Sequence, residues 1–223
     1  MIRIAIYDMD RTVTRRGTYA AFLKHMALAT APWRVILLPL VPLVMLAYVL
    51  KLIGRGRAKE INQMLMMGRR VNQHVIGHHV GAFAAKMVLR NIRRGALRQI
   101  AQDRASGAML VMASASYRLY VEPIARRLGF DHVIATDHMT QGTKYLRAKI
   151  AGENCYDVAK LRMIEAWMAA QGIARGSAHV RAYSDHVSDA PMLAFADEPF
   201  AANPHPPLRR LAGQKGWPVL DWV

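Results

Sequence analysis

Arg3-Ile4-Ala5-Ile6-Tyr7-Asp8-Met9-Asp10-Arg11-Thr12 carries a short apolar run that ends on two aspartates one residue apart. Residues 3–7 read as a buried strand. Acids at the carboxyl end of a buried parallel strand lie where an open α/β sheet places its ligand. Two later runs have the same form. The apolar stretch 108–113 leads into Ser114, and 178–183 leads into Asp185 with Asp189 behind it. Lys160 falls between them in a helical stretch. Asp8 with Asp10, Ser114, Lys160 and Asp185 with Asp189 fit together as one phosphoryl-transfer site. Paired aspartates can divide such work, one as nucleophile and one as acid/base.

From residue 107 the texture is strand–helix alternation. Strands are predicted over 110–113, 132–135, 179–183, 200–202 and 219–220, with helices over 118–128, 158–171 and 190–196. That alternation argues for an α/β fold with a parallel sheet. Between about 18 and 102 there is no alternating pattern. Leu65, Met66 and the apolar residues around 80–89 recur at helical spacing. A length of 223 residues suits one domain with a sizeable insertion. A hydrophobic content of 53% excludes wholesale disorder. The single cysteine, Cys155, excludes an internal disulfide and is compatible with a reducing, cytoplasmic setting. The strand-like opening leaves no room for a cleavable leader.

The net charge is +16, and it is not evenly spread. Residues 11–102 hold 16 Lys and Arg against one acid, Glu60. The insertion is therefore a cationic body beside a nearly neutral core, and its field attracts anions. Its basic residues lack the interleaved aromatics of a nucleic-acid surface, so no nucleic-acid partner is expected.

Residues 35–50, VILLPLVPLVMLAYVL, form an apolar run bounded by Arg34 and Lys51, with Trp33 and Tyr48 near its ends. As one helix it would span about 24 Å, short of the roughly 30 Å hydrocarbon layer, and Pro39 and Pro42 would kink it. Three readings stand: a buried helical hairpin, an interfacial or re-entrant segment whose basic flanks suit headgroups, and a full span. Under the second, residues 34–59 face anionic lipid at the cytoplasmic side of a membrane.

The order D-x-D-x-T after a first strand, Ser after a second, then Lys, then D-x-x-x-D before Pro-Met-Leu resembles the haloacid dehalogenase-like hydrolases. A-S-A-S-Y, G-E-N-C-Y-D-V-A-K and S-D-H-V-S-D-A-P-M-L are similar to their subfamily IB, which includes phosphoserine phosphatases. The resemblance implies a Rossmann-like core, residues 1–14 and 103–223, and an inserted helical cap, residues 15–102. It implies a Mg²⁺-dependent phosphatase acting through an aspartyl-phosphate. Asp8 would be the nucleophile and Asp10 the acid/base. Thr12 would orient the loop, and Thr12, Ser114 and Lys160 would serve the phosphate. Asp8, the Asp10 carbonyl and Asp185 would bind Mg²⁺, with Asp189 supporting them. Many members carry Gly where Arg11 stands here.

Each residue alone has a plainer reading, as cap, turn or solvated lysine; the four in order and in strand context do not. His74 and His78 share a helix face but lack a completing ligand, Cys155 lacks a partner, and the 14 methionines read as adaptable packing. No Asp or Glu occurs from Arg11 to Lys59, where phosphoserine phosphatases place the acid that meets the substrate ammonium. The apolar run followed by L-K-L-I-G-R-G-R-A-K resembles the C-type phosphatidylglycerophosphate phosphatases. The leading expectation is hydrolysis of an anionic, membrane-proximal phosphomonoester. The alternatives are a soluble-metabolite phosphatase and a membrane- or nucleic-acid-binding module with a vestigial site.

Overall fold

The computed structural model describes residues 1–222. β1 (Ile2–Tyr7) is followed by a wide turn over Met9–Val13, α1 (Tyr19–Thr30), a 3-10 segment (Pro32–Leu37), α2 (Leu40–Val49) and α3 (Arg55–Met67). Next come β2 (Arg70–Asn72), α4 (Gln73–Asn91) and α5 (Arg94–Ala105). The second half alternates through β3 (Met109–Tyr117), α6 (Arg118–Leu128), β4 (His132–Gln141), β5 (Tyr145–Ala151), α7 (Val158–Ala170) and β6 (Ala178–Ser184). It closes with α8 (Ala190–Phe195), β7 (Glu198–Ala202), α9 (Pro206–Lys215) and β8 (Val219–Leu220).

One sheet runs in the order β2-β5-β4-β3-β1-β6-β7-β8. The six strands from β4 to β8 in that order are parallel, the α/β architecture predicted from the alternation. β1 is central because both its faces are apolar, as a strand covered on two sides requires. Ala5 and Tyr7 face one core with Phe22, Phe83 and Tyr120, while Ile4 and Ile6 face the other with Ile164, Met168 and Leu208. Tyr7 is level with Met112 of β3 and Tyr183 of β6. That register sets the carboxyl ends of the three strands side by side, and Asp8 N donates to Tyr183 O at 2.9 Å.

Asp103 pins α5 beneath this centre. Its fully buried carboxylate accepts from the hydroxyls of Tyr7 and Tyr183 and pairs with Arg181 at 2.9 Å. The boundary expected between residues 102 and 103 therefore cuts a helix that is tied to the sheet. The insertion leaves and rejoins at an isolated bridge between Thr14 and Ile92. It is not wholly helical either. β2 joins the sheet edge against β5, a strand the sequence reading passed over, in an antiparallel extension of β4 and β5.

The apolar run 35–50 is neither one helix nor buried. Pro39 separates the 3-10 segment from α2, and Pro42 falls in the first turn of α2, where a missing N–H costs nothing. Val35, Leu38 and Val41 pack on the core, yet no residue of either piece is fully buried. Trp33, Ile36, Leu43, Leu46, Val49, Leu50 and Leu52 are exposed, Ile36 by 78%. This corrects the buried-hairpin reading. Among the described residues no helix is long and apolar enough to cross a membrane.

Candidate active site

The turn after β1 places the first two acids. Thr14 N donates to Met9 O at 2.9 Å, closing a wide loop. Within it Arg11 takes φ +66°, a left-handed conformation that costs a non-glycine residue about 1–2 kcal/mol. That geometry is why glycine suits this position. Its side chain is exposed. The loop holds because Met9 and Val13 are buried on either side.

Thr12 sits fully buried beneath the loop. Its hydroxyl lies 3.0 Å from Asp8 Oδ2 and 3.1 Å from Asp185 Oδ1, and it accepts from Asp185 N at 2.9 Å. The resemblance gave Thr12 the orienting of this loop and a place in the phosphate set; here its hydroxyl aligns the two carboxylates.

Lys160, in the first turn of α7, is 1% exposed. Its ammonium lies 2.8 Å from Asp8 Oδ1 and 2.8 Å from Asp189 Oδ2. Burial works against its charge, but Asp189 and Asp8 outweigh it and raise its pKa. Ser184 Oγ also donates to Asp189 Oδ2, at 2.7 Å, while Asp189 Oδ1 has no partner. Burial lifts Asp8 above the ordinary carboxylate range; Lys160 pulls it back, and Asp189 and Asp185 push it further. Burial likewise raises Asp185 to about 6, against the Thr12 hydrogen bond.

Asp10 points the other way, toward the insertion. Its Oδ1 accepts from Thr18 N at 2.6 Å and Thr18 Oγ1 at 2.7 Å, and its Oδ2 from Ser116 Oγ at 2.6 Å. Thr18 precedes α1, so this acid bridges the two parts of the molecule. Ser116 is brought there by an irregularity in the β3–β4 pairing between Ser114 and Tyr117, a device that re-aims side chains. Ser114 Oγ accepts from Ser116 N at 3.1 Å, which leaves its proton free to donate.

Thr18 and Ser116 were missed in the sequence. The repeat in A-S-A-S-Y was the available signal for Ser116. A third missed residue, Lys59 of α3, had no signal. Its buried ammonium reaches the Ala115 carbonyl and lies 3.1 Å from Asn154 Oδ1 and 3.9 Å from the centre of the Tyr117 ring. Burial, with help from Arg55, lowers its pKa to about 7. Cys155 is buried and pushed up to about 12 by that burial, which suits packing and not reactivity.

All these segments open on one cavity of about 640 Å³. Asp8, Asp10, Ser114, Lys160, Asp185 and Asp189 line one end. Leu23, Leu38, Val41, Met45 and Met66 also line the cavity, as do Arg11, Lys24 and Arg55. The acid end suits a divalent cation. One hydroxyl proton of Thr12 cannot serve both Asp8 and Asp185, and a single ammonium faces three buried carboxylates, Asp8, Asp185 and Asp189. Among the described residues no three His, Cys, Asp or Glu side chains converge to hold an ion unaided. An ion here would rest on Asp8 and Asp185, with further oxygens from backbone, water or phosphate, the sparse protein set that Mg²⁺ accepts.

Comparison with known proteins fits this arrangement. The chain is 36% identical over 126 residues to a probable phosphatase of Mycobacterium tuberculosis, a match covering 55% of this chain and 42% of that protein. The chain thus spans under half the length of that relative. A Bordetella pertussis protein of unknown function has the same fold, with a TM-score of 0.88 and 25% identity over 99% of both chains. A substrate-bound phosphoserine phosphatase superposes with a TM-score of 0.65 at 16% identity, over 99% of this chain and 93% of that one. The sequence pattern of haloacid dehalogenase-like hydrolases matches residues 5–194, a stretch that runs from β1 through the insertion to Asp185 and Asp189. With that match over most of its length, the chain belongs to the haloacid dehalogenase-like hydrolases.

Proposed function

We propose that this protein is a phosphomonoester hydrolase that works through an aspartyl-phosphate on Asp8. The observation that carries the reading is the convergence of Asp8, Lys160, Ser114 and Asp185 on one cavity. Asp8 Oδ attacks phosphorus as the bond to the leaving oxygen breaks, and Asp10 gives that oxygen its proton. Water then attacks the phosphorylated Asp8, Asp10 takes the proton, and phosphate leaves with the Asp8 carboxylate restored. Lys160 holds Asp8 in place and offsets charge on the phosphoryl group, and the Ser114 hydroxyl donates to one of its oxygens. Thr18 and Ser116 hold Asp10 in one orientation. Asp8, Asp185 and the Asp10 carbonyl would hold Mg²⁺, which would supply further positive charge at the transferring group. Asp189 supports that set through Lys160.

The substrate in this reading is an anionic, membrane-proximal phosphomonoester, such as phosphatidylglycerophosphate. Val41 and Met45 line the cavity while Leu40, Leu43, Leu46 and Val49 of the same helix face outward, so an apolar track runs from site to surface. Arg34, Lys51, Arg55 and Arg57 flank it, a charge pattern that suits an anionic leaflet. Among the described residues the acids lining the cavity are Asp8, Asp10, Asp185 and Asp189, which leaves no spare carboxylate for a substrate ammonium and counts against phosphoserine. A phosphomonoester panel with and without anionic vesicles tests this. The expected result is flotation with vesicles and faster turnover of phosphatidylglycerophosphate than of phosphoserine. Good turnover of soluble sugar or amino-acid phosphates with none of any lipid phosphate would overturn the lipid assignment.

A further inference from the structure

Among the described residues two lysines are buried, Lys160 and Lys59. Lys160 pairs with two carboxylates, whereas Lys59, among the described residues, pairs with none. A buried ammonium without a counter-charge loses its hydration with no ion pair to offset the loss. Packing does not require it, since a Met of similar length would fill the same space. Its contacts show where the charge is directed. The ammonium hydrogen-bonds the Ala115 carbonyl, with the centre of the Tyr117 ring 3.9 Å away. Ala115 falls inside the irregularity of the β3–β4 pairing, between Ser114 and Ser116. Its carbonyl already accepts from Thr136 Oγ1 at 2.9 Å, so the fold does not need Lys59 to satisfy it. Two more contacts fix α3, and with it the reach of Lys59. Glu60 Oε1 accepts from Ile150 N at 2.9 Å, and Gln63 Oε1 lies 2.9 Å from His138 Nε2. Ala115 lines the cavity and Lys59 does not, so the lysine acts from behind the wall.

We infer that Lys59 is a positioning residue. Carried on the insertion, it grips the Ala115 carbonyl and so aims the hydroxyls on either side, Ser114 at the phosphoryl group and Ser116 at Asp10. This rests on the phosphomonoesterase reading above and adds to it a residue that ties the insertion to the acid/base step. With the carbonyl held by Thr136 alone, the peptide tilts and the Ser116 hydroxyl loses its 2.6 Å alignment with Asp10 Oδ2.

Two esters separate this role from a general weakening. Hexyl phosphate needs Asp10 to protonate its leaving alkoxide, whereas p-nitrophenyl phosphate releases a stable phenolate and does not. Lys59→Met should lower kcat/KM for hexyl phosphate by about tenfold more than for p-nitrophenyl phosphate, with the melting temperature at or above the wild-type value. A smaller folded fraction, or a lost charge acting only at a distance, lowers both esters alike. Lys59→Gln, shorter and uncharged, gives the same comparison should the apolar variant fold poorly. In a Ser116→Ala background, Lys59→Met should change the ester ratio little, because the hydroxyl it aims is gone. Calorimetric affinity for inorganic phosphate reads the Ser114 side without turnover and should fall about tenfold in Lys59→Met. Absent turnover of both esters by the wild type would refute the phosphatase reading, while the phosphate affinities would still decide the role of Lys59. An unchanged ester ratio in Lys59→Met and Lys59→Gln, or a ratio that shifts as far in the Ser116→Ala background, would overturn the inference. Without turnover, an unchanged phosphate affinity would do the same.

Discussion

Lys160→Met tests the electrostatic centre of the site. The substitution keeps a similar length and removes one charge from between Asp8 and Asp189, each 2.8 Å from it. The three side chains are 2%, 10% and 3% exposed, so solvent screening gives little relief. Leaving buried carboxylates without their partner costs about 3–5 kcal/mol. For a chain of this size each kcal/mol moves the melting temperature by about 2–4 °C, so a fall of roughly 6–20 °C is expected near neutral pH. The pH dependence follows from Asp8. Its folded pKa already lies above the unfolded value, and loss of Lys160 removes the group that pulls it down. Such a carboxylate destabilises the fold while ionised and is relieved as it takes up a proton. The gap in melting temperature between wild type and Lys160→Met should therefore narrow as pH falls through the folded pKa values of Asp8, about 8 in the wild type and higher without Lys160. Thermal scans across pH, followed by circular dichroism, measure it. A loss under about 1 kcal/mol, or a gap that widens toward acid, would refute the reasoning.

Three other outcomes follow from the same contacts. Ser116→Ala removes one of three hydrogen bonds to Asp10; at about 1.5–3 kcal/mol for a bond to a charged group, kcat should fall about 10–100-fold with KM little changed in steady-state assays. Asp103→Asn leaves Arg181 with Glu198 alone and disturbs the buried hydroxyls of Tyr7 and Tyr183. It should cost about 1–3 kcal/mol by denaturant titration. Leu43 and Leu46 are 60% and 53% exposed, and if they enter a lipid surface, changing each to Ser should cost about 1 kcal/mol of vesicle binding. Unchanged flotation of that double variant would exclude α2 as the contact.

The core was legible because its strands are buried on both faces. Such strands read as unbroken apolar runs, and those ending at Tyr7, Ala113 and Tyr183 each lead into a polar residue of the site. α6 was equally plain, as Gly129 takes φ +82° directly after it and ends the helix. The sheet edge was not legible. β5 has its buried residues at Leu146 and Ala148 between exposed Arg147 and Lys149, but its partners on β2 lie about 75 residues away, a distance no local pattern reports. The apolar run 35–50 misled by composition. Hydropathy does not tell an interior helix from one whose apolar side lies at the surface, and only tertiary packing separated Val41 from Leu43. The holding partners of Asp10 were hidden for the same reason. Ser116 is 106 residues from it, and Thr18 reaches it only because the loop after Asp10 folds back.

The central claim is that Asp8 carries phosphorus during turnover. Borohydride quench of the enzyme during steady-state hydrolysis, followed by peptide mass mapping, reads it directly, because an acyl phosphate is reduced to homoserine where a free carboxylate is not. Homoserine at position 8, absent without substrate and absent in Asp8→Asn, is the predicted result. Hydrolysis that continues in Asp8→Asn, or reduction found at another aspartate, would contradict the account.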